Sequence, residues 1–275
     1  MVSQEQRRRQ LAREKFLRQQ QRRTQARRKA RMRNSVIASV LGVIVIGSVV
    51  LYTTDAFKGT DKKTNTAADV TPSATPSKAP DPCAKPAAGS VKKLSWKKEP
   101  AMTIDTSAKY TMKLATTCGD IDIALKTAAA PHTVNSFDFL AGQGFFDHTR
   151  CHRLTTDGIF VLQCGDPQGT GMGGPGYTLP DENLKDKSLK GNTYPAGTVA
   201  MANTGQKHTG GSQFFLVYKN SPLPPSYTPF GTVSAAGMKV LQKIAAAGAQ
   251  AADPTSGNTA PNATVVINKA TVTKS

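Results

Sequence analysis

The residues best suited to chemistry lie in one stretch, Thr149 to Asp166, which reads TRCHRLTTDGIFVLQCGD. Two short extended runs flank the bend at residues 156–158, and a glycine in such a connection is typical of a β-hairpin. The hairpin carries Arg153 and Gln163, two polar residues that a core strand would not favour, beside the bulky apolar Phe160. A guanidinium fork and a side-chain amide above an apolar floor can grip a peptide backbone. The stretch therefore predicts a site that binds a polypeptide.

Three further motifs follow this hairpin along the chain. They read GTVAMANTG from Gly197, GGSQFFLVY from Gly210 and FGTV from Phe230. Together with CHRLTTDGIFVLQCGDP from Cys151, and in this order, they resemble the motifs of the cyclophilins, a family of peptidyl-prolyl cis-trans isomerases. The resemblance covers residues 110–273. It implies an eight-stranded antiparallel β-barrel with a helix over each end.

Hydrophobic patterning independently favours a mainly β domain over residues 108–275. Residues 121–125 alternate between apolar and polar or small side chains, as expected for a half-buried strand. Two helices are predicted over residues 131–142, where a proline occupies the first turn, and 235–247. Further strands are predicted over residues 110–117, 120–126, 198–202, 213–217, 229–233 and 263–272. Many short strands with two helices predict a closed β-barrel, because closure removes exposed strand edges.

The chemistry implied by this resemblance needs no nucleophile. Rotation about an X–Pro bond must cross a barrier of ~18–20 kcal/mol that amide resonance creates. A dry apolar pocket can hold the proline ring, while a hydrogen-bond donor stabilises the twisted amide more than either planar form. A guanidinium suits the donor's role, because it stays protonated and presents a rigid fork. The resemblance implies that Arg153 is this donor.

The resemblance also assigns roles to the other residues of the site. The implied catalytic residues are Arg153, Gln163 and Phe160. The implied substrate-binding residues are His152, Val161, Ala202, Asn203, Gln213, Phe215, Leu223 and Tyr227. The proline pocket is expected to consist of Phe160, Val161, Phe215 and Leu223. The two glutamines would brace the arginine and bind the substrate backbone, while Ala202 and Asn203 would bind the residue before proline.

The chain departs from many eukaryotic cyclophilins at three positions near this pocket. Pro222 stands where they have tryptophan, Tyr227 where they have histidine, and Val161 where they have methionine. The arginine and the pocket phenylalanines remain, so we expect isomerase chemistry to persist. We expect weak binding of cyclosporin, because the indole donor that tryptophan provides is absent.

Three other patterns point away from cofactor and hydrolase chemistry. Residues 169–174 match G-x-G-x-x-G, but Pro175 and Gly176 follow where a phosphate site needs a helix. His148 and His152 are four residues apart on a predicted strand, where they do not converge on a metal. Ser212 lacks the G-x-S-x-G elbow of a hydrolase nucleophile. We therefore expect no metal and no cofactor.

The net charge of +18 is concentrated at the N-terminus. Residues 1–34 contain 13 Lys/Arg and 2 acidic residues, a net charge of +11, so the rest of the chain carries only +7. We therefore expect no nucleic-acid partner for the domain. The tail itself could bind RNA or anionic lipid, but the hydrophobic segment that follows favours the basic cytoplasmic flank of a membrane anchor.

That segment, SVIASVLGVIVIGSVVLY, runs from Ser35 to Tyr52 without a charge and reaches the length of a membrane-spanning helix. We predict a basic cytoplasmic tail over residues 1–34, a single transmembrane helix over 35–53 and a flexible extracytoplasmic linker over 54–107. The composition leaves two alternatives for Trp96. The end of the linker docks on the domain through this ring, or Trp96 is a lone aromatic in flexible chain.

The sequence does not choose among the possible cysteine pairings. The four cysteines, Cys83, Cys118, Cys151 and Cys164, allow three complete pairings, and buried free thiols are the alternative. We expect a monomer that acts on proline-containing polypeptides outside the cell membrane and assists the folding of exported proteins. The alternative function is a non-catalytic chaperone or scaffold at the membrane that binds proline-containing segments.

Overall fold

The structure is a computed structural model that describes residues 80–253 and 258–274, which form a large curled sheet, a two-stranded sheet and two helices. The helices are α1 (Pro131–Gly142) and α2 (Ala235–Ala246). The strands are β1 (Tyr110–Thr116), β2 (Gly119–Leu125), β3 (Thr149–Arg150), β4 (Arg153–Leu154), β5 (Val161–Cys164), β6 (Thr193–Tyr194), β7 (Thr198–Met201), β8 (Phe214–Val217), β9 (Ser221–Pro222), β10 (Pro229–Val233) and β11 (Val266–Lys274).

The main sheet has the order β3-β11-β1-β2-β10-β7-β8-β5-β4, and each neighbouring pair is antiparallel. Its two outermost strands, β3 and β4, are separated along the chain only by Cys151 and His152. The Cys151 N–H donates to Val265 O, whereas the His152 N–H donates to Gln163 O. One short segment therefore borders both ends of a sheet that curls back on itself.

The predicted mainly β fold with two helices is confirmed. The main sheet contains nine strands rather than the predicted eight, because the segment 149–154 changes its pairing partner midway and so forms both β3 and β4. The helix over residues 131–142 has the predicted bounds, with Pro131 in its first turn. The second helix ends at Ala246, and the Ser234 side chain caps its start by accepting a hydrogen bond from the Gly237 N–H.

Apolar side chains form two separate clusters because successive residues of a strand face opposite sides of the sheet. In β8, Phe214 and Leu216 belong to the large core, where Phe214 contacts the rings of Phe137 and Phe146. The intervening residues of β8 join a smaller cluster on the other face. That cluster contains Val161, Tyr194, Ala200, Phe215 and Val217.

Residues 80–107, which we call the strap, lie against the sheet and α1 as irregular chain. A disulfide joins Cys83 to Cys118, and Ile104 is buried. The Trp96 ring packs against Phe139 with the ring centroids 5.1 Å apart, so the docked alternative for Trp96 describes its position. The strap is the last part of the predicted linker.

The predicted basic tail, the predicted transmembrane helix and linker residues 54–79 lie outside the described residues. Within residues 80–253 and 258–274, neither helix has the length and apolar character that crossing a bilayer requires.

Candidate active site

The hairpin formed by β4 and β5 places Arg153 directly opposite Gln163. The Arg153 Nη1 donates to Gln163 Oε1 at 3.2 Å. A disulfide between Cys151 and Cys164 joins the two strands immediately beyond this pair, which settles the pairing that the sequence left open. Gly158 turns the chain with a φ of +69°, in the left-handed region that favours glycine. The hairpin therefore holds the arginine and the amide side by side.

A series of side-chain hydrogen bonds continues from this pair. Gln163 Nε2 donates to Gln213 Oε1 at 2.9 Å, and Gln213 Nε2 donates to Gly173 O at 2.9 Å. We call the path from Arg153 through the two glutamines to Gly173 the amide relay. Each amide accepts on one side and donates on the other, so both have a defined orientation. Among the described residues only Nη1 of the guanidinium has a protein acceptor, and its other N–H groups are available to a ligand.

The guanidinium lies beside a cavity of about 150 Å³. The cavity is lined by Arg153, Ile159, Val161, Gln163, Ala202, Asn203, Phe215, Leu223 and Tyr227. Val161 and Phe215 are buried and belong to the smaller apolar cluster, so they form the floor. The structure thus brings together most of the residues that the sequence predicted for the site, and Gln213 joins them through the amide relay.

Phe160 does not line the cavity, contrary to its predicted place in the proline pocket. Its ring lies 5.9 Å from the Tyr218 ring, and the Lys219 ammonium lies 4.4 Å from its centroid. The alternation of side chains explains why Phe160 is not in the pocket. Residues 159, 161 and 163 face the cavity, so Phe160, which lies between the first two, faces away from it. Ile159 occupies the position expected for the phenylalanine. Counting back in steps of two from Gln163 would have identified it.

His152 also lies outside this cavity, contrary to its predicted substrate-binding role. It precedes Arg153 in an extended segment, so its side chain points the other way, towards Gly171 and a separate cavity. The residue is 5% exposed, and neither ring nitrogen has a hydrogen-bond partner among the described residues. Burial lowers the pKa of the imidazole, and the nearby Asp166 carboxylate only partly opposes this effect. Burial therefore favours the neutral form of the ring.

Tyr194 supports the cavity from below and was not predicted. Its hydroxyl donates to Tyr227 O at 2.7 Å and accepts from the Tyr227 N–H at 3.1 Å. Its ring lies 6.2 Å from that of Phe215, and burial raises the pKa of its hydroxyl to about 12. It fixes the segment that carries Tyr227, whose ring lies 5.5 Å from that of Phe215. Tyr194 follows an irregular stretch, and no local pattern in the sequence indicates this contact.

The glycine-rich stretch at residues 167–176, which we call the Gly-rich loop, is organised by Asp166 rather than by a bound phosphate. The Asp166 carboxylate is fully buried and accepts from the backbone N–H groups of Gln168, Thr170 and Gly171. Burial alone would raise the pKa of the carboxyl, but the bonds from the N–H groups of Gln168, Gly173 and Gly171 and from the Thr170 hydroxyl outweigh it and lower the pKa. The carboxylate thereby fixes the loop that ends the amide relay.

Comparisons with known proteins agree on one family. The family described as "Cyclophilin type peptidyl-prolyl cis-trans isomerase/CLD" matches residues 111–272. The chain is 50% identical over 149 residues to a probable peptidyl-prolyl cis-trans isomerase B of Mycobacterium leprae, covering 51% of this chain and 50% of that protein. It is 45% identical over 115 residues to peptidyl-prolyl cis-trans isomerase B of Bacillus subtilis, covering 42% of this chain and 76% of the relative.

A crystal structure of a cyclophilin type peptidyl-prolyl cis-trans isomerase of Cryptosporidium parvum aligns with a TM-score of 0.49 and 26% identity. That alignment covers 61% of this chain and 99% of the other. The chain spans about half the length of the mycobacterial relative that it matches.

Proposed function

The chain belongs to the cyclophilin family of peptidyl-prolyl cis-trans isomerases, and we propose that it catalyses cis–trans rotation about X–Pro peptide bonds. One observation carries this proposal. A guanidinium whose orientation is fixed by an adjacent amide at 3.2 Å lies beside a small cavity with an apolar floor. That arrangement supplies both devices that the rotation requires, a pocket for the ring and a donor for the twisted amide.

The size and lining of the cavity suit a proline ring. Its volume of about 150 Å³ is smaller than the ~300–1,000 Å³ typical of sites for drug-sized ligands, and its floor is apolar. We propose that Val161, Phe215 and Leu223 hold the ring, with Ile159 in place of the predicted Phe160. Fixing the ring leaves the carbonyl side of the bond as the part that rotates.

Arg153 would act where the amide twists. Twisting localises the lone pair of the prolyl nitrogen, which then becomes an acceptor that neither planar form offers. A donor that is already in place stabilises this form at no cost of reorganisation. The amide relay supports such preorganisation, because Gln163 is itself held by Gln213. By the family resemblance, Ala202 and Asn203 would bind the residue before proline.

A direct assay of the full chain in detergent tests the function. The cis-to-trans conversion of a peptide with one X–Pro bond is followed in a protease-coupled assay, because the uncatalysed reaction takes tens of seconds or longer. We expect the rate to rise in proportion to protein concentration. Retained peptide binding without acceleration would instead support the non-catalytic chaperone or scaffold.

We further propose that this activity is located outside the cell membrane, where it assists the folding of exported proteins. The charge-free segment at residues 35–53 and the basic residues before it support a single-pass anchor with a cytoplasmic N-terminus. The two disulfides of the described residues support an oxidising compartment. We propose that the protein acts there as a monomer on proline-containing polypeptides.

Protease treatment of spheroplasts that express the full chain tests this topology. We expect added protease to degrade the isomerase domain while an N-terminal tag stays protected. Detergent lysis, which exposes both ends, is the control. Protection of the domain in intact spheroplasts would reject the proposed orientation.

A further inference from the structure

The strap is attached to the rest of the protein at several places along its length. Its Cys83 is bonded to Cys118, and its Ala87 N–H donates to Asn268 Oδ1 at 3.0 Å. Further along, the Trp96 ring centroid lies 5.1 Å from that of Phe139 in α1 and 6.0 Å from that of Phe145, just after the helix. The strap is therefore attached to the β1–β2 turn, to β11 and to α1, and Trp96 makes the contact with α1.

Trp96 also contacts the Gly-rich loop through its backbone. Its N–H donates to Pro175 O at 2.8 Å. Gly176, with a φ of +92°, approaches the backbone of Trp96 so closely that a Cβ at this position would collide with it. Trp96 therefore contacts α1 with its ring and the Gly-rich loop with its backbone, so this one residue joins the loop to the helix.

Pro175 lies close to the two segments that determine the position of Gln213. One is the chain just before Gln213, and the other is the Gly-rich loop that accepts its hydrogen bond. Pro175 is buried, and a Cβ on Gly211 would lie 3.1 Å from its ring, so Pro175 packs on the chain two residues before Gln213. It also follows Gly173 by two residues, and the Gly173 carbonyl accepts from Gln213 Nε2. A shift of Pro175 would therefore move the acceptor of the amide relay and the backbone that carries its second glutamine.

We propose that the strap is a positioning element of the active site and that Trp96 is the positioning residue through which it acts on Arg153. The path runs from the Trp96 N–H to Pro175 and the Gly-rich loop, then through Gln213 and Gln163 to the guanidinium. This inference rests on the proposed isomerase function. It means that the isomerisation rate depends on residues 80–107, which lie before the part of the chain that matches the cyclophilin family, residues 111–272.

The test separates peptide binding from the rate of isomerisation on the protein. NMR exchange measurements on the full chain in detergent, over a range of peptide concentrations, give both the peptide Kd and the on-enzyme rate. For Trp96→Ala we expect that rate to fall about five- to twentyfold while the Kd changes by less than about twofold. The side-chain amide resonances of Gln163 and Gln213 should shift. Trp96→Phe, which retains the aromatic packing and the backbone, should restore most of the rate.

Asn268→Ala is the matched control, because it removes the acceptor of the strap's Ala87 N–H without touching the Gly-rich loop. We expect it to lower stability without lowering the rate. If Trp96→Ala does not fold, Trp96→Leu decides the outcome. A normal rate in folded Trp96→Ala or Trp96→Leu, or an equal loss in Asn268→Ala, would overturn the inference. A wild-type chain without activity would instead reject the isomerase function itself, so the two failures are distinguishable.

Discussion

At the scale of single residues, the two glutamines determine which way the guanidinium of Arg153 points. Gln163 accepts from Arg153 with one end of its amide and donates to Gln213 with the other. A neutral amide can do both at once, whereas a carboxylate could only accept. Orientation at this site is therefore a property of the residue types as well as of the strands that carry them.

Replacing Gln213 by leucine should disconnect the amide relay at its centre. The variant removes the acceptor of Gln163 and the bond to Gly173. We expect kcat to fall about tenfold, or roughly 1.4 kcal/mol, near the upper end of the net contribution of one neutral hydrogen bond. The isomerisation assay measures the effect. Gln242→Leu, on the exposed side of α2, is the matched control, and an equal loss there would contradict the assignment.

The buried carboxylate of Asp166 predicts a loss of stability in acid. Its folded-state pKa lies below the ordinary value of 3.8, so folding favours the ionised form. The resulting contribution to the free energy of unfolding is complete above that ordinary value and is lost as the pH falls through the lowered folded-state pKa. Asp166→Asn should reduce the difference in thermal stability between pH 7 and pH 2.

The exposed Asp157, in the turn of the β4–β5 hairpin, provides the matched control for this measurement. Asp157→Asn should retain the acid sensitivity of the wild type. An Asp166→Asn variant with the same pH dependence as the wild type would show that other carboxyl groups dominate acid unfolding.

At the scale of elements, the β4–β5 hairpin is short and depends on its disulfide. Only two residue pairs form its ladder, Arg153 with Gln163 and Leu154 with Leu162. The Cys151–Cys164 bond adds a covalent link at the open end of the ladder. Arg153 therefore stands on a hairpin that hydrogen bonding alone would hold weakly.

A double variant, Cys151→Ser with Cys164→Ser, should lose both stability and activity. Closing a loop of this length contributes roughly 3 kcal/mol to the free energy of unfolding in the chain-entropy account. Activity should fall because the spacing of Arg153 and Gln163 is no longer fixed. Denaturant unfolding and the isomerisation assay measure the two effects.

The other disulfide provides the comparison. Replacing Cys83 and Cys118 by serine should also lower stability, but this bond lies outside the hairpin. We expect that double variant to keep more of the isomerisation rate. A greater loss of rate in the Cys83/Cys118 variant than in the hairpin variant would contradict the proposal that Cys151–Cys164 fixes the spacing of Arg153 and Gln163.

The periodic pattern of apolar residues predicted the bounds of helices and strands, but the sequence analysis placed some side chains in the cavity wrongly. The bounds of α1 and of β10 agree with the sequence pattern, because both depend on local chemistry such as Pro131 in the first turn. Phe160 and His152 were placed in the site from the family resemblance, but the alternation continues through the residues just before β4 and β5 and turns both away from it. Applying the two-residue period from Arg153 and Gln163 would have corrected both.

At the scale of the whole molecule, the contacts that the sequence could not supply are long-range ones. Tyr194 reaches Tyr227 across 33 residues, and Gln213 reaches Gly173 across 40. No repeating pattern in the sequence indicates either contact, because each joins an irregular segment to another part of the fold. The strap is a further example, since its composition predicted flexible chain and only Trp96 and Cys83 indicated docking. The basic tail and the membrane helix stay predictions from composition.

The central claim, that Arg153 is the catalytic donor, is tested most directly by the catalytic efficiency of Arg153→Ala beside Arg150→Ala in the full chain. Arg150 is the matched control, because it is exposed on β3 and lines a different cavity. We predict that kcat/KM falls by roughly two to three orders of magnitude for Arg153→Ala, as for other preorganised donors, and stays near the wild-type value for Arg150→Ala. A folded Arg153→Ala variant with wild-type kcat/KM would contradict the account.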